Sequence, residues 1–289
     1  MKNIGISPIL LYYKGKVTKM KTLLTAILAG TAAFVMAAEN VIAPAQPADL
    51  KKINGTGTLT VNSEQIFELN GVANFLSTKV LTIDPKKTYK LSGEFRAKDG
   101  TKPAKLYFGF APLNARKTWV VSEQIQGMKG TETVLTADAK PGDTVLKIKD
   151  GSKWKYNSGL VAFNAKADMS DIPNANLSPA FNAVVKDGDG YIVKLVKPLK
   201  KGYAKGTMIR QHRSAGTYQY AAAASAPLSH EWKTFSAVIS GEAPRETAIT
   251  NKKWWYTTRN IRILILGNYA GNKGSVMQFK NIKLEELTR

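Results

Sequence analysis

The sequence predicts an all-β protein, and three observations carry that reading. Short runs rich in Val, Ile, Leu, Tyr and Phe recur, each closed by a Gly, Pro, Asn or Asp break, which is the rhythm of a sandwich or barrel. Several runs alternate apolar and polar residues with the two-residue period of a half-buried strand. Helical periodicity is nearly absent beyond residue 37, and the Ala run at 221–224 is too short to hold a helix.

In chain order, the first element reads as a processing signal. Lys19 and Lys21 precede an apolar run from Leu23 to Met36, and the small residues Ala37 and Ala38 follow. That is the pattern of a bacterial secretory signal peptide, with Met20 as the expected start and residues 1–37 removed near Ala37. The run is too short to span a bilayer. We therefore expect a secreted, periplasmic or cell-surface protein with no transmembrane segment in the mature chain.

Strands follow. "GTGTLTVN" opens the series. In "KTYKLSGEFRAK" (87–98), Tyr89, Leu91, Gly93, Phe95 and Ala97 share one face, and Lys90, Ser92, Glu94 and Arg96 the other. "AKLYFGFAPLN" (104–114) aligns Leu106, Phe108 and Phe110. "WVVSEQI", "GTYQYAAAA", "EWKTFSAVISGE", "RNIRILILGN" and "SVMQFKNIKLEEL" supply the remaining strands.

Between about Thr131 and Ser214 the texture changes. Pro-Gly-Asp and Asp-Gly-Asp-Gly turns separate short Val/Ile/Leu strands. We read one sandwich, residues 38–130 plus 215–289, interrupted by a smaller β-barrel-like domain at 131–214, an arrangement tolerated where chain ends lie close together.

"YKLSGEFRA", "EWKTFSAVISG", "IRILILGN" and "MQFKNIKLEEL", in that order, resemble the jelly-roll carbohydrate-binding modules of the galactose-binding-like type. The middle segment, with a "PGDT…KD" opening and a "GT…R" close, resembles small β-modules of secreted bacterial proteins and implies no function. The first resemblance implies a jelly-roll sandwich that binds sugar. Such modules often hold a structural calcium. Here Asn281 stands where an acid is common, flanked by Lys280 and Lys283. No metal and no cofactor is expected.

The chemistry of catalysis is thin. There is no cysteine, and the two histidines, His212 and His230, lie 18 positions apart without zinc-ligand spacing. Glu94, Glu123, Asp168, Asp171 and Glu231 are the candidate carboxylates for glycoside hydrolysis, but nothing in the sequence pairs any two across a cleft. One cluster offers an enzymatic alternative. Arg210, His212, Arg213, Tyr218 and Tyr220 fall within eleven positions, the residue types of a polysaccharide lyase that neutralises a uronate and abstracts a proton.

Binding is better supported. Sugars offer apolar C–H faces to flat rings and hydroxyls to Asn, Arg and Lys, and a sulfate or carboxylate adds a demand for cations. Parity puts Arg262 opposite Ile261 and Ile263, Arg96 opposite Phe95, and Tyr107 opposite Leu106 and Phe108, with Asn268 ending the strand that Arg262 begins. The expected ligand face comprises these four with Trp119 and one of Trp254 or Trp255 at its rim; the other ring closes the core, and parity does not say which. Trp232 is assigned to the core and Trp154 to the insertion's structure.

Removing the leader takes away five lysines and no acid, leaving 37 basic against 21 acidic side chains, a net charge of +16. Such a chain attracts polyanions. With export expected, an acidic glycan is favoured over nucleic acid. The expectation is a non-catalytic binder of acidic polysaccharide; the alternatives are the lyase or hydrolase above and a structural envelope or matrix protein.

Overall fold

The alternating runs take strand geometry in the computed structural model, which describes residues 39–154, 159–214, 216–245, 251–271 and 274–287. The expected leader, residues 1–37, lies outside the described residues. The chain runs through β1 (Glu39–Ile42), β2 (Leu50–Gly55), β3 (Thr58–Val61), β4 (Phe67–Asn70), β5 (Ala73–Ser77), β6 (Leu81–Thr82), β7 (Thr88–Ala97) and β8 (Lys105–Leu113). A one-turn helix, α1 (Ser122–Ile125), leads into β9 (Thr133–Val134), β10 (Val145–Ile148), β11 (Leu160–Phe163), β12 (Phe181–Asp187), β13 (Gly190–Leu195) and β14 (Met208–His212). The last strands are β15 (Gln219–Pro227), β16 (Lys233–Ser240), β17 (Asn260–Tyr269) and β18 (Val276–Leu287). The protein is all-β.

Two six-stranded antiparallel sheets make a β-sandwich. One runs β16-β7-β18-β4-β3 with β1 added on β18, and the other β15-β8-β17-β5-β2 with β6 added on β17. Successive long strands change sheet, so β7 and β8 lie across the core from each other, as do β17 and β18. Their inward residues fill one core. Tyr89, Leu91 and Phe95 of β7 and Phe279 of β18 meet Phe108 and Phe110 of β8 and Ile261, Ile263 and Ile265 of β17. The Phe95 ring lies 5.0 Å from Phe108 and 5.7 Å from Phe279. Burying a phenylalanine this completely contributes about 2–3 kcal/mol.

Strands β9 to β14 form two separate three-stranded sheets, β10-β13-β12 and β11-β14-β9. They surround a second apolar cluster that includes Leu146, Val161, Phe163, Phe181, Val193 and Ile209. Trp154 belongs to it, lying 5.5 Å from Phe181 and donating its indole N–H to Thr131 O at 2.9 Å. A third, small cluster links this region to the sandwich: Val120, Ile125, Met169, Ile172 and Trp255.

Three expectations need correction. "WVVSEQI" is not a strand; its second half is α1. Trp232 is not in the core. It is half-buried on the outer side of β7 and β18, with the Arg96 guanidinium 4.8 Å and the Lys280 ammonium 4.6 Å from its ring, as cation–π pairing favours. The third concerns Trp254 and Trp255 and belongs to the site. Among the described residues no helix is long and apolar enough to cross a membrane.

Candidate functional site

Strand β8 sets the candidate face. Its even residues, Leu106, Phe108 and Phe110, are committed to the core, so Lys105, Tyr107, Gly109 and Ala111 point to the other side of the sheet. The same parity turns Arg262, Leu264 and Leu266 of β17 outward, and Asn74 and Leu76 of β5. Register places Tyr107 beside Leu266, Gly109 beside Leu264, and Leu264 beside Leu76.

Strand β15 then bends over this face. Gln219 pairs with Phe110 and Ala223 with Phe108, so β15 spends four residues where β8 spends two. The surplus is a bulge. It passes so close to Gly109 that a Cβ there would lie 2.7 Å from Ala221 N and 2.9 Å from Tyr220 Cα. The arch lays Tyr218 and Tyr220 over Leu76, Ala111 and Leu264. Gln219, between them, turns inward and donates its amide to Lys253 O at 2.6 Å.

The result is a row of five aromatic rings. Tyr269 lies 5.0 Å from Tyr107, Tyr107 lies 4.7 Å from Tyr220, Tyr220 lies 6.2 Å from Tyr218, and Tyr218 lies 5.7 Å from Trp119. The ends are open: Tyr269 is 45 % and Trp119 43 % exposed, and the three middle rings are half-buried. Burial pushes the Tyr218 and Tyr220 hydroxyls up from the ordinary phenol range, so both are neutral donors at neutral pH. Beneath Tyr218, buried Asn74 hydrogen-bonds the phenol, and its Oδ1 has no partner among the described residues. Exposed cations border the row. Lys105 pairs with Tyr269, and Lys51 pairs with Leu76.

Of the seven residues expected to hold ligand, this face unites three: Tyr107, Trp119 and Arg262. Arg262 is half-buried and its Nη1 is held by the Ser77 and Thr78 carbonyls at 2.7 and 2.9 Å, so its first role is to pin the end of β5. Arg96 lies on the opposite sheet, over Trp232 and bonded to Gln278 at 2.8 Å. Asn268 is buried; its side-chain amide donates to Leu69 O, Gly71 O and Ser275 O, a staple between the two sheets.

Both indoles of the Trp-Trp pair are enclosed, at 0 % for Trp254 and 2 % for Trp255. Neither is offered to a ligand in this structure. Alternation does not apply to them because β17 begins only at Asn260, and residues 251–259 form turns around a single bridge from Trp254 to Glu242. The two rings enter different clusters: Trp254 packs 5.0 Å from Phe110 in the sandwich core, and Trp255 joins the small cluster with Met169 and Ile172.

The Arg210–Tyr220 cluster is divided. Arg210 and His212 are fully buried. Arg210 makes a bidentate pair with Asp171, 2.7 and 3.1 Å, and also donates to Lys166 O. His212 Nδ1 lies 2.7 Å from Glu123 O, which makes it the donor and leaves Nε2 to accept from Arg210. Burial drives the His212 pKa down to about 4, so the ring is neutral. This is an internal network with no open face, while Tyr218 and Tyr220 belong to the ring row. Among the described residues no group of three His, Asp or Glu is placed to hold a metal ion, and Asn281 donates to Glu94 Oε1 at 2.7 Å.

Tyr269 was not foreseen, and Tyr218 and Tyr220 were foreseen only for a different chemistry. One signal does exist: Tyr218 and Tyr220 flank a Gln at the two-residue period, so they share a face. Compared with known proteins, the chain matches no family model and no curated protein.

Proposed function

We propose that this protein binds polysaccharide on the outer face of the β15–β8–β17 sheet and does not cleave it. The observation that carries the reading is the five-ring row with two open ends on a rigid, apolar-backed sheet. Extended aromatic surface left in water on a stable scaffold marks a docking place for something flat and partly apolar. Sugar rings meet that description, stacking C–H faces on Trp119 and Tyr269 while their hydroxyls reach the phenol groups of the row. The jelly-roll, galactose-binding-like resemblance supports the same reading, and a sandwich in which successive long strands change sheet is compatible with it.

The ligand is an acidic glycan, sulfated or uronic, on this proposal. The net charge of the chain beyond residue 37 and the position of Lys51 and Lys105 around the face support that choice. Export, inferred from the pattern at residues 19–38, would bring the protein to such glycans.

Affinity electrophoresis against neutral, uronic and sulfated polysaccharides tests this. The expected result is retardation by an acidic glycan that weakens on raising salt to about 0.5 M, as screening requires. No retardation by any glycan overturns the reading, and salt-insensitive retardation removes its acidic part.

A further inference from the structure

The region of β9–β14 carries a pocket of about 390 Å³ between residues 175–179 and the turn at 197–203. Its lining is mixed: Leu177, Pro179, Pro198 and Tyr203 supply apolar surface, and Asn176 and Ser178 supply polar groups beside it. Tyr203 is held flat against Phe163, ring centroids 3.6 Å apart and 4° from parallel, and its backbone exchanges two hydrogen bonds with Ala139. The opposite wall is equally fixed. Ser178 Oγ accepts from Val161 N and donates to Pro179 O, and Asn174 Nδ2 donates to Phe163 O. The pocket is formed before any ligand arrives, which lowers the entropic cost of filling it.

Its rim is cationic. Lys197, Lys200 and Lys201 all line the pocket, and no carboxylate does. None of the three has a hydrogen-bond or ion-pair partner among the described residues, whereas Lys87 and Lys98 are paired with Glu286 and Glu68 at 2.7 and 3.0 Å. Three ammonium groups within five positions repel one another, and an anion placed among them relieves that repulsion. Burial raises the Tyr203 phenol pKa, so its hydroxyl remains a neutral donor beside them. The volume fits one ring with its substituents and no extended chain.

We propose that this pocket is a second binding site, taking a single acidic sugar ring whose apolar face rests on Tyr203 and the prolines and whose carboxylate or sulfate meets the three lysines. The inference does not depend on the ring row, and it gives the β9–β14 region a ligand of its own.

The test is amide NMR of the full chain titrated with sodium glucuronate, with glucose and with sodium sulfate. Glucuronate is expected to shift the amides of residues 176–178 and 199–203, and glucose is not. Changing Lys197, Lys200 and Lys201 together to Gln, all at exposed positions, is expected to weaken glucuronate at least about tenfold. Trp119→Ala is expected to leave this titration unchanged, so failure here and failure of the sheet-face reading are told apart. The proposal is overturned if glucuronate shifts none of these amides, if glucose shifts them equally, or if sulfate saturates them at the same concentration, which would mean a simple ion site.

Discussion

The ring of Tyr220 lies 4.7 Å from that of Tyr107, and it reaches that place only because position 109 carries no side chain. Any Cβ at Gly109 presses into the Gln219 carbonyl oxygen and Ala221 N, both backbone atoms that cannot swing aside. Gly109→Ala is therefore expected to displace the β15 bulge. The cost is about 1–3 kcal/mol, or roughly 2–4 °C of Tm per kcal/mol for a chain of this size. Calorimetry and glycan electrophoresis on the same variant check it, since the middle of the ring row moves with the bulge. A variant that keeps both its melting temperature and its retardation refutes the account of how the row is built.

Exposed and enclosed rings should separate cleanly. Trp119→Ala and Tyr269→Ala remove the open ends of the row, so each is expected to lower glycan affinity by about 1–2 kcal/mol with stability changed by about 0.5 kcal/mol or less. Trp254→Ala empties a core site and is expected to cost about 3–5 kcal/mol of stability. Urea unfolding alongside binding decides between the two classes.

Arg210 depends on its counter-charge. Asp171→Asn leaves a buried guanidinium with one neutral acceptor in place of a bidentate carboxylate, and a loss of about 3–5 kcal/mol is expected. Replacing both partners by apolar residues of similar volume is expected to cost less than the single change, because no uncompensated charge remains. The comparison is a double-mutant cycle read by chemical denaturation.

Acid should act through His212 before it acts through Asp171. Burial sets the folded His212 pKa at about 4, below the 6.5 of an unperturbed ring. Between those values the unfolded chain takes up a proton that the folded chain refuses, so stability is full above pH 6.5 and falls as pH drops toward 4. The total is about 3 kcal/mol. For Asp171, burial alone would raise the pKa, but hydrogen bonds from Arg210 and Asn174 outweigh it and hold the carboxyl below its ordinary value. Its contribution is present above the ordinary carboxylate range and disappears only as pH falls through the lower folded value. Unfolding free energies at about pH 7.5 and about pH 5 should thus differ in the parent chain and differ less in His212→Gln.

Where strands alternate, sequence was enough to read the fold. Tyr89, Leu91 and Phe95 point inward and Lys90, Glu94 and Arg96 outward, as the pattern of β7 predicts. β5 was illegible for the opposite reason. All five of its residues are buried, because Tyr218 covers its outer face, and a strand covered on both sides shows no alternation. The ring row was half legible: alternation turns Tyr107 away from the core residues of β8, but the bulge that adds Tyr218 and Tyr220 is a two-residue irregularity with no local signature. The tryptophan pair does not follow parity, because residues 251–259 form no strand. Rings that follow turns are free to enter separate cores.

That separation has a practical consequence for anyone trimming the gene. The indole of Trp255 shares its small cluster with Val120, Ile125 and, from between β11 and β12, Met169 and Ile172, which help to roof it. Excising residues 131–214 to obtain a minimal sandwich would strip that roof and leave a bare greasy scar beside the cut. The truncated product would be prone to clump, and a Trp255→Ser swap made in the same step is the natural remedy.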